Sequence, residues 1–421
     1  MTTSNIIEQV ITQAIENIND ELRDISLKIH DNPELSNKEY DAHALLTDYL
    51  EKKGFTVSRT VAGLKTAFLA EYANSSNGRR VGFCSEYDAL PGIGHGCGHN
   101  LISITGLACA IAFKALLDQN LIQGKVVLFG TPAEEETEGK VVMVNKGEFQ
   151  KRVDYGLMLH PYPYDLNYCN MLALDIGIIE FFGKASHAGM KPWEGINALD
   201  AFMQGWNNMS MLRQQTLTSN RIHGIILEGG KSICTNINLQ KYLKPNVIPD
   251  YVSGKFVARS LKYDQLVELK QKLENCFQSA ADATGCKVKI TWDKNGEVKD
   301  VFMNDTLTDI YIDYMKQENA DILPRVEEEK ILTGSTDFGN VTAVIPATHP
   351  QYVKIGFDII GFGIGIDAPI HSIKFTEAAR TETAHHHAIR ASRCLAKAAA
   401  KVFVDDELYQ QMVTDFRKGK Q

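Results

Sequence analysis

Apolar residues near the start of the chain recur at helical spacing. Ile7, Ile11, Ala14, Ile18, Leu22, Ile25 and Ile29 fall three or four apart, which predicts one amphipathic helix. Asn5 with Glu8 has the spacing of a capping box at its start, and Asn32-Pro33 ends it. Ser36 with Glu39 predicts the start of a second helix, which Gly54 stops. The period then changes. Residues 66–72, 81–85, 125–130 and 155–160 are short apolar runs that read as buried strands, and residues 101–118 read as a helix of small residues. Alternating strands and helices predict an α/β sheet covered on both faces, with ligands at the carboxyl ends of its strands.

A second texture begins near Ala173. Residues 174–182, 222–227, 252–258 and 287–292 read as strands, and residues 196–213 and 263–284 as helices. This is a smaller α+β domain, residues 173–300, inserted into an α/β domain made of residues 1–172 and 301–421. The α/β texture closes with a helix over residues 376–403, and His385-His386-His387 reads as the surface of that helix.

Composition acts by exclusion. The chain has 421 residues, 44% hydrophobic and 23% charged, which is globular and rules out a disordered chain or a coiled coil. The net charge of −8, with no basic block, argues against nucleic acid and anionic membrane as partners. The longest apolar stretch, residues 101–113, is shorter than the roughly 18 residues of a membrane span. No basic region precedes an apolar one at the N-terminus, so no secretory signal is expected. Eight scattered cysteines, without a CxxC pair, suit a reduced, cytoplasmic protein.

The candidate chemistry lies where strands should end. Cys97 and His99 sit two apart in a glycine-bearing loop before a helix. A thiolate and an imidazole so placed suit zinc, although an inert cysteine in a glycine-rich turn would look the same. Glu134, Glu135 and Glu136 follow an apolar strand. A bound cation would relieve their repulsion and leave one carboxylate as a general base; a solvated acidic loop is the plainer alternative. His160 and His371 complete the set. Cys97, His99, Glu135, His160 and His371 are too many ligands for one tetrahedral zinc but suit two metals sharing a bridge. His187, on a loop of the inserted domain, reads by itself as a turn histidine.

The combined motifs resemble the aminoacylase/carboxypeptidase G-like family of di-metal exopeptidases and amidohydrolases, nearly end to end. His30-Asp-Asn-Pro-Glu34, Cys97-Gly-His99, Pro132-Ala-Glu-Glu135, His160-Pro161 and His371 are similar to the branch in which a cysteine replaces the bridging aspartate. Tyr87-Asp-Ala-Leu-Pro-Gly-Ile-Gly-His95, Asn246-Val-Ile-Pro-Asp250 and Gly334-Ser-Thr-Asp-Phe-Gly-Asn-Val341 resemble its Xaa-Arg dipeptidase and p-aminobenzoyl-glutamate hydrolase group. Asn100, Glu86 and Glu136 depart from the usual pattern.

The resemblance implies a zinc-exopeptidase-like sheet covered by helices, with the inserted domain as lid and dimerisation domain of a homodimer. It implies two divalent metal ions per chain, zinc first, with manganese or cobalt as alternatives. Cys97 would bridge them, and His99, Glu135, His160 and His371 would complete the coordination. Glu134 would be the general base. His187 would stabilise the oxyanion, Arg259 would hold a substrate carboxylate, and Asp88 would orient a ligand. The implied activity is hydrolysis of an amide or peptide bond in small N-acyl amino acids or dipeptides. Its rivals are an aminoacylase in place of a dipeptidase, and a non-catalytic metal- or ligand-binding scaffold of the same fold.

Overall fold

The computed structural model describes residues 3–136, 138–163, 165–231, 245–352 and 369–419. The chain divides into two compact units: Met1–Met171 with Val301–Gln421, and Leu172–Asp300.

The first unit opens with α1 (Thr3–Glu16) and α2 (Asn19–Asp31). The single helix expected here is broken, because Ile18 adopts φ −113°, ψ 8°. Its side chain stays buried, so the apolar stripe runs on across the break. The helix begins at Thr3, which puts Asn5 inside it and not at its cap. Next come α3 (Tyr40–Lys52), β1 (Thr56–Val61), β2 (Leu64–Ala73), β3 (Arg79–Ser85), α4 (His99–Asp118) and β4 (Gly124–Gly130). β1 escapes the apolar pattern because it is a largely exposed, polar strand at the sheet edge. Then follow α5 (Gly139–Asn145), α6 (Glu148–Arg152), β5 (Tyr155–Leu157) and β6 (His160–Pro161). The apolar run 155–160 is thus two strands, and they belong to different sheets.

The second unit holds β7 (Ala173–Phe182), α7 (Ala198–Leu212), β8 (Arg221–Lys231), β9 (Tyr251–Ser260), α8 (Tyr263–Thr284) and β10 (Lys287–Trp292). Its sheet is antiparallel in the order β10-β7-β9-β8. Ile179, Phe181, Phe202, Phe256 and Phe277 fill the core between this sheet and its two helices.

The chain returns to the first unit with α9 (Asp305–Gln317), α10 (Arg325–Glu328), α11 (Phe338–Thr342), β11 (Ala347–Thr348) and β12 (Gln351–Tyr352). It ends with α12 (Ile373–Ala379), α13 (Glu382–Val404) and α14 (Asp406–Lys418). The closing helix expected over 376–403 is therefore two. Thr381 accepts the Ala384 N–H at 3.2 Å and restarts the helix as its N-cap. Of the three adjacent histidines, His386 lies on the surface as expected, whereas His385 is buried. The backbone N–H of Val301 donates to the Met171 carbonyl at 3.4 Å, so the chain leaves and re-enters this unit at adjacent points.

The main sheet has the order β1-β2-β4-β3-β5-β11. Alternate residues of β2 feed two cores, as strand period requires. Phe68 and Ala70 face α1, α2, α4 and α13, while Ala67 and Leu69 face Phe149, Phe338 and Val341 on the other side. α4 is long and apolar enough by length and composition to cross a membrane, and here it is buried in the first core. β4, β3, β5 and β11 are mutually parallel, so their carboxyl ends share one edge.

Candidate metal centre

Each strand of that parallel set delivers chemistry as it ends. β3 runs into Glu86 and Asp88, β4 into Glu134 and Glu135, β5 toward His160, and β11 into His349. Cys97 and His99 come from the loop that opens α4. Gly98 between them sits at φ 75°, and a Cβ there would lie 2.6 Å from the Pro161 ring. Glycine is therefore required for the two ligands to turn into the site.

The potential ligand atoms form four groups among the described residues, and two of them share Cys97, while Glu134 falls in the others, with His99 and Glu135 and with Glu86 and Asp337. Of the two that share Cys97, Cys97, His99 and His160 make one, and Cys97, Glu135 and His371 the other, each with its atoms within 4.8 Å of one another. The Cys97 sulfur lies 3.4 Å from His160 Nε2. His371 Nε2 lies 3.5 Å from Glu135 Oε1. His371 is held at φ 64°, a left-handed conformation, by its N–H bonded to Gly96 O at 2.7 Å. Ala133, just before the glutamates, is also left-handed at φ 60°. Such backbone costs about 1–3 kcal/mol and persists where surroundings enforce it, often at active sites.

The surrounding groups fix which ring nitrogens face the centre. Asp88 Oδ1 accepts from His99 Nδ1 at 2.9 Å, which turns His99 Nε2 inward. Asp88 Oδ2 accepts from Ser36 Oγ at 2.9 Å and from the Glu135 backbone N–H at 3.1 Å. His160 Nδ1 is bonded to the Pro161 carbonyl at 2.6 Å, which leaves its Nε2 lone pair toward Cys97. Ser36 and Glu39 have the spacing of a helix start, but here local spacing misleads. Glu39 accepts from the Ala133 N–H at 2.9 Å and from Thr66 Oγ at 2.7 Å, and so pins the loop that carries the glutamates.

The electrostatics of the cluster favour a cation. His99 Nε2, Glu86 Oε2 and Glu135 Oε1 are buried without hydrogen-bond partners among the described residues. Glu86 Oε2 is 3.4 Å and Glu135 Oε1 3.8 Å from that His99 nitrogen. Burial pushes the Glu134 carboxyl well above its ordinary range, and Glu86 and Glu135 add to it. Burial opposes a charge on His99, yet Asp88, Cys97 and Glu86 outweigh it and hold the ring's pKa well above normal. Burial also raises Asp88, but the His99 charge and its hydrogen bond hold that carboxyl at about 2. Buried acids, a thiol and imidazoles whose free atoms converge are the donor set that a divalent pair would satisfy. The cradle fits such a pair.

Three neighbours carry no signal in the pattern of the chain. Lys140 is wholly buried, with its ammonium between Glu86 and Asp337. Burial would lower its pKa, but Asp337, Glu86 and Glu134 outweigh that and raise it. His349 packs its ring against His160, with centroids 5.8 Å apart. Asp337 lies within the Gly334–Val341 motif, which resemblance alone singles out. Two of the departures are harmless to the cradle: Glu136 is exposed, and Asn100 instead donates to Ser26 Oγ and Ala379 O.

The two remaining candidates belong to the second unit. His187 Nδ1 accepts from the backbone N–H groups of Gly189 at 3.2 Å and Met190 at 3.1 Å, so the neutral ring carries its proton on Nε2. The ring is exposed. Arg259 lies at the end of β9, in register with Leu174 and Arg221, and is partly buried.

The chain is similar to known proteins in sequence and in fold. The model of peptidase family M20/M25/M40 matches residues 82–388. Xaa-Arg dipeptidase of Mus musculus is 36% identical over 98% of this chain and 92% of its own length. A p-aminobenzoyl-glutamate hydrolase protein of Escherichia coli K12 is 25% identical over 97% of this chain and 96% of its own. Among solved structures, a dinuclear metal-binding peptidase of the M20 family from Bacillus subtilis superposes with a TM-score of 0.63. It covers 92% of this chain and 99% of its own at 18% identity, which speaks to the fold. On the family match and the near full-length relative together, this chain belongs to peptidase family M20/M25/M40 and is a metallo-hydrolase.

Proposed function

We propose that this protein is a di-metal dipeptidase, acting on small dipeptides with a basic C-terminal residue as its first class of substrate. One observation carries the reading: two groups of ligand atoms share the single Cys97 sulfur. Cys97 would bridge two divalent ions, with His99 and His160 on one side and Glu135 and His371 on the other. Zinc suits the thiolate and imidazoles best, with manganese and cobalt as alternatives. When bound, the pair supplies Lewis acidity toward the amide carbonyl and acidifies water. The substrate preference is drawn from the 36% identical relative, a Xaa-Arg dipeptidase.

The chain's own groups would then do the following. Glu134 takes a proton from water as oxygen attacks the carbonyl carbon, and gives it to the leaving nitrogen. Asp88 holds His99 in the required tautomer and Glu135 in place through its backbone. His187, with its proton on Nε2, donates to the oxygen that gains negative charge, and Arg259 binds the substrate carboxylate. The second unit would act as lid and would join two copies into a homodimer. Its edge strand β8 supports that role, since Ile225, Ile226 and Leu227 stand 60%, 47% and 51% exposed in a row. A cytoplasmic, reducing location is part of the proposal; the seven described cysteines, all without disulfides, support it.

The test is hydrolysis of a panel of dipeptides with basic and neutral C-termini, N-acetyl and N-benzoyl amino acids, and p-aminobenzoyl-glutamate. Metal is counted on the same sample. Chelator-sensitive cleavage of the basic dipeptides with about two metals per chain is expected. Preference for N-acyl amino acids would make the protein an aminoacylase. Failure to bind metal after reconstitution would overturn the assignment.

A further inference from the structure

The proposed reaction leaves the buried charge of Lys140 unused. Lys140 sits in α5 with no exposed surface, its ammonium between Glu86 and Asp337 and 2.6 Å from the latter. Its backbone N–H donates to the other oxygen of Asp337 at 2.8 Å, which fixes the carboxylate from two directions. One oxygen each of Glu86, Glu134 and Asp337 lies within 4.8 Å of the others. Three carboxylates so close repel unless a cation stands among them, and oxygen ligands of this kind suit a hard divalent ion. Here the cation is already present, on a side chain. The cluster also adjoins the metal cradle, because the second oxygen of Glu86 faces His99 Nε2 at 3.4 Å without a hydrogen bond.

We propose that Lys140 is a positioning residue whose ammonium stands in for a third metal ion among Glu86, Glu134 and Asp337. It holds the site's capacity at two and keeps Glu134 free for proton transfer. A third divalent ion here would take Glu134 as a ligand and cost it that role. The inference rests on the di-metal reading above.

Lys140→Met tests it by metal counting, independently of turnover. The protein is stripped of metal, dialysed against manganese, and the bound ion measured by mass spectrometry. Wild type is expected to hold about two manganese ions per chain and Lys140→Met about three, with kcat down at least ~100-fold and KM little changed. Lys140→Met should also gain more thermal stability from manganese than wild type does, since the ion replaces a lost charge. Wild type with fewer than two ions would overturn the di-metal reading itself. Two ions in both proteins would overturn the role of Lys140 and leave that reading intact. The double variant Glu86→Gln, Asp337→Asn covers the case in which Lys140→Met does not fold. It leaves the ammonium unneutralised beside the cradle, and manganese affinity is expected to fall at least ~10-fold. Unchanged affinity there would equally overturn the proposal.

Discussion

Asp88 and His99 form the hinge of the candidate centre: one carboxylate oxygen takes the imidazole Nδ1 at 2.9 Å, and the other takes the Glu135 backbone N–H. A single buried side chain thus orients one candidate ligand, His99, and also holds the backbone of another, Glu135, from a different strand end. Removing its charge should loosen both. Asp88→Asn is expected to fold and to bind metal about 10–100-fold more weakly, by competition with a chromogenic chelator. Wild-type affinity in this variant would mean that the cradle does not depend on the pair.

Glu134 lies at the same strand end but belongs to neither group that shares Cys97. Glu134→Gln should keep its full metal content and lose about 10²–10⁴ in kcat. Loss of metal together with activity would make Glu134 a ligand and void its assignment as base.

His187 offers a free Nε2–H donor because two backbone N–H groups occupy Nδ1. His187→Ala should lower kcat about 10²–10³-fold with metal content and melting temperature unchanged. A change in KM alone would assign it to substrate binding.

The pH dependence of stability should show two histidines outside the cradle, His385, which is buried, and His387, which is partly buried. His385 is lowered to about 4, chiefly by burial and then by the Arg23 charge. His387 is lowered to about 4 by burial and Arg390. Unfolded, both rings titrate near about 6.5, so between that pH and about 4 the unfolded chain binds more protons. Stability is therefore expected to fall as pH drops through this window. Urea titrations of His385→Gln, which keeps an amide toward Asn19 but cannot charge, should show a shallower fall by about one proton. Parallel slopes would show that His385 is not the group titrating.

Much of the candidate site can be read from the chain because its candidate ligands follow apolar runs. Cys97, Glu135 and His160 each come shortly after a segment whose pattern declares a strand, so position along the chain predicts position at the sheet edge. Lys140 and Asp337 have no such marker, although Glu86, which they join, directly follows the apolar run 81–85. Their meeting depends on α5 and the start of α11 lying against the end of β3, and a lone lysine in a polar stretch reads as surface. Ser36 and Glu39 show the converse error. Their spacing matches a local cap, yet both side chains find better partners across the fold, at Asp88 and Ala133. Local propensity is a weak prior wherever a tertiary hydrogen bond competes for the same atoms.

The bond from Val301 to Met171 has a consequence for how the protein can change over time. Because the inserted stretch departs and returns through one narrow gap, the first unit spans it as it would a short loop, whatever length is threaded between. Closing a longer excursion costs little extra entropy once its ends are pinned together. A longer inserted stretch is therefore expected to add little to the cost of folding the main sheet. Substrate preference and self-association, if they reside there, are free to drift while the cradle of Cys97 and its partners stands still.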